Sequence, residues 1–418
     1  MSDNDALLKS PHFAPRSFQD YRSIISDDLF FEIIDLAAQL RSQRLLYINS
    51  NQNKGGVYEH LVSLIPLLQD LGVSVTWKAI SAVPDDFYQV TKAIYNAIQG
   101  IDFDFDANDW AIYEEFNSRI AREIQAGDWD FVLVQDHQML ASLSQIDDKG
   151  KTQWLWQSHS ETHEPSASFV SKIAQYLQPY DCVILYLPEY AFKDFTPKRL
   201  ATFTIAIDPL SAKNRDMTMA RAQQIIAEFG VDVARPLITQ VARIDLWKDI
   251  PGVVDAWLKA RQAIPELQLA LVGAVSPNNV HAQAIIDEVL EKARGQTGLF
   301  LLINQVEGEN TKAFQVSSTV ILQKSIREGF GLAVSEALWS GTPVIGSNVG
   351  GIKVQVIDGM CGYLINDPDE CAQRIVELIR DRRKAEDMGR FGREHVRKHF
   401  LLPRLIRDEL RLMVDMLA

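Results

Sequence analysis

Cysteine is scarce: Cys182, Cys361 and Cys371 are the three in 418 residues, odd in number and without metal-ligand spacing, so neither a disulfide framework nor a zinc site is expected. They fit a reducing compartment and read as small buried hydrophobes. Long apolar runs are missing as well. No stretch of about 18 apolar residues occurs, and the N-terminal MSDNDALLKSPHF lacks the apolar segment of a signal peptide, which points to a soluble cytoplasmic protein without a membrane partner. Clustered Lys and Arg are missing, and a formal net charge of -13 argues against unassisted nucleic-acid binding, leaving small molecules as the expected partners. A homodimer is compatible with this reading. No GxGxxG follows the first strand of either half, and no GxxxxGK followed by Ser or Thr occurs, which weighs against a nicotinamide dehydrogenase and a P-loop enzyme.

What is present is alternation. The apolar runs RLLYIN (44–49), VSVTW (73–77), FVLVQ (131–135), QWLWQ (153–157) and CVILYL (182–187) are mostly separated by amphipathic helical stretches, the pattern of a parallel sheet wrapped by helices. PLITQVA (236–242), LQLALVG (267–273), GLFLLI (298–303), TVILQ (319–323), PVIG (343–346) and GYLI (362–365) form a second series. A chain this long exceeds one hydrophobic core, so the expected architecture is α/β with two Rossmann-like domains, divided within the polar, Pro-containing region 188–213. Pro403 is placed to start a last helix.

Three segments carry candidate chemistry. In NSNQNKGGVYEHL, Gly55 and Gly56 let the backbone approach a phosphate or sugar at the start of a helix over 57–70, or merely make a tight turn. In TVILQKSIREGFGLAVSEALW, the glycines fall on a strand-to-helix turn at the carboxyl end of a sheet, where open α/β sheets bind ligands. Glu328 in that turn and Glu336 in the helix suit hydroxyl groups, since a carboxylate accepts several hydrogen bonds. In QVARIDLWKDIPGVVDAW, Arg243 and Lys248 follow a strand and precede a helix near Pro251, and two cations beside a phosphate-accepting turn neutralise a departing diphosphate. His159 and His163 are four apart but lack a third ligand, so no metal is expected. Trp154, Trp156 and Trp339 read as core, and DFDFDANDWAIYEE (102–115) as the capped start of an exposed helix.

VARIDLWKD, SIREGFGLAVSEALWSGTPVIGSNVGGIKVQVIDG and NKGGV resemble the signatures of the retaining nucleotide-sugar glycosyltransferases of family 4. LPEY, IDPLS and DDFYQVTKAIYNAIQG are most similar to the trehalose-making members of that family. The resemblance implies a GT-B fold, two Rossmann-like domains facing across a cleft, with 1–200 binding the acceptor, 201–400 the nucleotide sugar, and a helix in 401–418 packing back on the first domain. It implies that Glu328 holds hydroxyls of the donor sugar and Glu336 the nucleotide ribose. The backbone of Gly329, Phe330, Gly331 and Leu332 would face the sugar and phosphates, with Arg243 and Lys248 at the leaving diphosphate. Gly55, Gly56 and His159 would belong to the donor site, and Asp136 would lie near the acceptor. A nucleoside diphosphate sugar is the co-substrate, with no cofactor and no obligatory metal.

The implied reaction moves glucose from a nucleoside diphosphate glucose to free glucose, reversibly and with retention, giving trehalose. Lys54, Lys149 and Lys151 are the only cations in 50–60 and 134–166, too few for a phosphorylated acceptor. The chain departs from the family where the acceptor is chosen: Asn53-Lys54 precedes Gly55, and QDHQM (135–139) replaces an HDPQP-like segment. Rival readings are a trehalose phosphorylase using glucose 1-phosphate, a family 4 enzyme with another small acceptor, a hydrolase using the two carboxylates, and a non-catalytic sugar-binding protein.

Overall fold

The computed structural model describes residues 6–53, 55–162, 164–275 and 281–418; Lys54 and His163 lie outside the described residues. The chain divides into two compact units, one of Met1–Ile205 with Leu402–Ala418, the other of Ala206–Leu401.

The first unit is built on a seven-stranded sheet of β1 Leu8–Lys9, β2 Arg44–Asn49, β3 Ser74–Ile80, β4 Phe131–Gln135, β5 Gln153–Gln157, β6 Cys182–Leu185 and β7 Leu200–Thr202. Its order is β1-β3-β2-β4-β5-β6-β7, with every neighbouring pair parallel except β1 with β3. The central strands β2 and β4 are covered on both faces, so their sequences are runs and not alternations. The two edge strands β1 and β7 carry no such run, and the sequence pattern misses both. The helix Ala107–Gln125 begins at Asp106 with a capping box, as the acidic run implies, but it is not simply exposed: Tyr113, Phe116 and Ile120 are buried.

The C-terminal helix Leu402–Leu417 belongs to this first unit through one apolar face, Leu405, Ile406, Leu410 and Met413. Polar contacts fix its register. Tyr47 Oη donates to Glu409 Oε2 at 2.7 Å, and Arg404 Nη2 donates to the Thr204 carbonyl at 2.8 Å.

The second unit holds a six-stranded, wholly parallel sheet of β8 Leu237–Val241, β9 Gln268–Gly273, β10 Leu299–Ile303, β11 Val320–Gln323, β12 Val344–Ser347 and β13 Gly362–Ile365, in the order β10-β9-β8-β11-β12-β13. Trp257, Ile238, Leu269, Val320 and Leu322 fill one side of it. The three cysteines are free and buried, and Trp154, Trp156 and Trp339 are core residues. No described helix is long and apolar enough to cross a membrane.

Candidate active site

In the second unit β8 and β11 are neighbours although β9 and β10 intervene in sequence, so the strand order reverses between them. The carboxyl ends of strands at such a reversal are where open α/β sheets bind ligands. The segment leaving β8 carries Arg243 and Lys248, the one leaving β11 Glu328 and the glycine turn, so topology alone brings two of the sequence motifs together.

The two segments are joined at several points. Lys248 Nζ lies 2.5 Å from Glu328 Oε2, with both side chains only 10% exposed. Gln323 Nε2 and Ser325 Oγ donate to the same carboxylate oxygen at 3.2 and 3.1 Å. Beside this pair Lys324 Nζ meets Asp249 Oδ2 in a second ion pair, while Asp249 caps the helix Ile250–Arg261 from a left-handed conformation, φ 41°. Ile326 N donates to the Trp247 carbonyl at 2.7 Å, and the Arg327 guanidinium lies over the Trp247 ring. A non-glycine residue at positive φ inside such a lattice is backbone strain held in place by its surroundings. Arg243 differs: its side chain is 56% exposed and Nη2 lies 3.2 Å from Asp245 Oδ2.

The glycine turn is shaped from below. Gln355 Nε2 donates to the carbonyls of Phe330 at 2.6 Å and Gly331 at 3.3 Å. A Cβ on Gly351 would stand 2.4 Å from Phe330 Cα, so only glycine lets the two segments approach. Gly331, at φ +84°, precedes the helix Leu332–Trp339, and a Cβ there would press on Glu328 Cγ at 3.0 Å. Glu336, in that helix, is buried. Its Oε1 lies 2.7 Å from Lys213 Nζ, and its Oε2 accepts weakly from Gln315 Nε2 at 3.4 Å.

In the first unit the order reverses between β2 and β4. Gly55 (φ +98°) and Gly56 follow β2 at the start of the helix Gly56–Asp70, with no atom within 4 Å of where either Cβ would stand. Asp136 follows β4 at φ 61°, and its Oδ1 accepts from the His159 backbone N–H at 2.8 Å. Burial pushes its carboxyl up from the ordinary aspartate value, opposed by His137 and that hydrogen bond. His159 follows β5. Its Nε2 donates to Gln135 Oε1 at 2.6 Å, which leaves Nδ1 to accept from the Tyr186 hydroxyl. Burial first, and then the neighbouring His60, push this imidazole down to about 3, so the ring is neutral at physiological pH. Both ring nitrogens are therefore committed inside the unit, and a ligand meets the ring's carbon edge or the backbone unless a partner turns away. His137, in the altered QDHQM segment, is a core residue, with Nε2 on the Thr91 carbonyl at 3.0 Å. Gln135 Nε2 and both polar atoms of Gln157 are buried without a hydrogen-bond partner, and these side chains belong to residues in register across β4 and β5. Such groups call for water or a ligand.

Known protein families match both halves of the chain. Residues 47–192 match the family described as trehalose synthase, N-terminal domain, and residues 222–395 match glycosyl transferases group 1. A trehalose synthase from Rubrobacter xylanophilus is 40% identical over 417 residues, 99% of this chain and 100% of that one. The chain belongs to the trehalose synthase family. A family member from Thermococcus litoralis is 34% identical over 401 residues, 95% of this chain and 97% of that one. Among solved structures, sucrose-phosphate synthase from Thermosynechococcus elongatus superposes with a TM-score of 0.70 at 19% identity, over 90% of this chain and 99% of that one. The fold is GT-B, that of a glycosyltransferase-family enzyme.

For this member of the trehalose synthase family, the sequence motifs contain Lys324, Asp249 and Gln355 without marking a role for them, and Lys213 lies outside the motifs. Lys213 and Gln355 do lie within or beside segments that carry the family resemblance, IDPLS and GGIKVQVIDG, but nothing in their spacing shows what they touch.

Proposed function

We propose that the protein transfers glucose from a nucleoside diphosphate glucose to free glucose, with retention, to give trehalose, and that the reaction runs in both directions. The observation that carries the donor half is the Lys248–Glu328 pair at the β8/β11 switch point, buried and held by neutral donors beside a glycine turn. A carboxylate there accepts from sugar hydroxyls. An ammonium has three N–H donors, of which Glu328 takes one, so it also serves a diphosphate oxygen. Arg243, half-exposed, supplies a second cation. Glu336 accepts from the ribose, and the backbone of Gly329, Phe330, Gly331 and Leu332 meets the sugar and phosphates.

In the reaction the bond from C1 to the diphosphate oxygen breaks while the acceptor hydroxyl oxygen bonds to C1 on the same face, and the departing phosphate oxygen takes the hydroxyl proton. No protein nucleophile takes part. Charge grows on the diphosphate as the bond breaks, and Lys248 and Arg243 stabilise it. The acceptor half rests on Asp136, with Gln135 and Gln157 offering uncharged hydrogen-bonding groups of the kind a free sugar needs, and on full-length similarity to proteins named trehalose synthase.

The test is a matrix of nucleotide glucoses against labelled glucose with product analysis, alongside trehalose plus inorganic phosphate without nucleotide. A labelled non-reducing disaccharide in the first arm is expected. Glucose 1-phosphate formed from trehalose and phosphate alone would replace the transferase reading with a phosphorylase, and glucosylation of a different acceptor would leave only the donor half standing.

A further inference from the structure

We propose that Lys213 is a positioning residue for nucleotide recognition, holding the buried Glu336 carboxylate in place as the acceptor for the ribose hydroxyls. The inference rests on the reading that Glu336 meets the ribose. Glu336 has a side chain only 3% exposed, and Lys213 Nζ approaches its Oε1 to 2.7 Å. The only other side-chain hydrogen bond to that carboxylate among the described contacts is the Gln315 amide, at the 3.4 Å limit. A carboxylate so deeply placed needs a charged partner and good geometry to be held there.

The segment around Lys213 is built to supply both. Asp208 folds the chain back, accepting from Leu210 N on Oδ1 and from Ser211 Oγ and Asn214 Nδ2 on its carbonyl, each at 3.0 Å. Arg215 Nε closes the turn on the Leu210 carbonyl at 2.9 Å. The turn is then tied to the helix that carries Glu336. Trp339 Nε1 donates to the Asn214 carbonyl at 3.0 Å, and Arg393 bridges Asp216 at 2.7 Å to the Trp339 carbonyl at 3.1 Å. Trp339 lies three residues beyond Glu336, so the same stretch of helix fixes the carboxylate and, through the turn, the ammonium. A solvated surface lysine has no such frame. A ribose diol donates to two acceptor sites, and with Lys213 directing Oε1 the carboxylate keeps one orientation in which its remaining lone pairs are available.

The experiment uses the full chain and measures binding of ADP, UDP and GDP and of their 2′-deoxy forms by calorimetry, so catalysis does not enter. With the tightest-binding base, the wild type is expected to prefer the ribose form by about 10-fold, the scale of a charge-assisted hydrogen bond. Lys213→Met should reduce that preference to within about 2-fold, Lys213→Arg should restore most of it, and Lys213→Met with Glu336→Gln should lose no more than Glu336→Gln alone. Lys213→Gln, which keeps a hydrogen-bond donor without the charge, is read in parallel and should behave as the Met variant; thermal unfolding establishes that each variant is folded. If both uncharged variants keep the wild-type preference while Glu336→Gln abolishes it, the positioning role is refuted and the ribose reading stands. If the wild type shows no preference for ribose, the ribose reading of Glu336 fails and this inference goes with it.

Discussion

Replacing Lys248 by Met removes an ammonium and leaves the aliphatic stem, so the perturbation is nearly pure charge. Removing one member of a buried ion pair costs about 3–5 kcal/mol because the other charge is stranded. Here Glu328 keeps Gln323 and Ser325 as donors at 3.2 and 3.1 Å, each contributing about 1 kcal/mol, and both partners are 10% exposed, so water reaches them. The expected loss of stability is therefore about 2–3 kcal/mol. Lys248→Met with Glu328→Gln removes the stranded charge and should recover stability to within about 1 kcal/mol of wild type. Turnover behaves differently. At saturating donor, Lys248→Met should fall about 10²-fold or more, because the ammonium acts on charge that appears only as the bond breaks, and the double variant should not recover it. Urea unfolding and steady-state kinetics on the three proteins decide the matter. Equal stability of all three would rule out a stranded charge at Glu328, and turnover of Lys248→Met within a few-fold of wild type would rule out Lys248 at the leaving diphosphate.

Arg243→Ala should lower turnover on a similar scale yet leave stability within about 0.5 kcal/mol, since its side chain is mostly exposed; a loss confined to KM would count against its role at the leaving group. Glu336→Ala should weaken nucleotide-sugar binding by about 1.5–3 kcal/mol with a smaller effect on turnover, measured by titration calorimetry against steady-state rates. Gly331→Ala, with its φ of +84° and a Cβ 3.0 Å from Glu328 Cγ, should destabilise by about 1–3 kcal/mol and weaken donor binding, which urea unfolding and calorimetry report. His159 contributes a pH dependence of known sign. Its folded value near 3 lies below the ordinary 6.5, so the unfolded chain binds the extra proton between these values, and stability falls as pH drops from about 6.5 towards 3. His159→Gln should lose less stability than wild type over that window, and an identical slope for both proteins would dismiss the burial assignment.

The sheets were legible because parallel strands covered on both faces must be continuous apolar runs: RLLYIN and QWLWQ coincide with β2 and β5 residue for residue. The edge strands β1 and β7, two and three residues long, bury too little to leave such a mark. Among site residues, the glycine turn and the Arg243 and Lys248 segment were visible as strand-to-helix turns with unusual composition. The contact of Lys248 with Glu328 was not, for it spans 80 positions and arises only from the β8–β11 adjacency. Lys213 and Lys324 carry no sequence signal of their roles, since nothing local shows that each lies on a carboxylate far along the chain. The two strained aspartates, Asp136 and Asp249, are likewise silent in sequence, because a positive φ at a non-glycine residue is imposed by tertiary contacts.

The most direct measurement of the proposed reaction follows the transferred carbon itself. The enzyme is incubated with a nucleoside diphosphate α-glucose labelled with ¹³C at C1 and with unlabelled glucose, and the product is observed by NMR. The label is expected in a non-reducing disaccharide with its C1 still in the α configuration, and adding nucleoside diphosphate to that product should regenerate labelled nucleotide sugar. Label at an inverted C1, or in free glucose with no disaccharide formed, would contradict the proposed reaction.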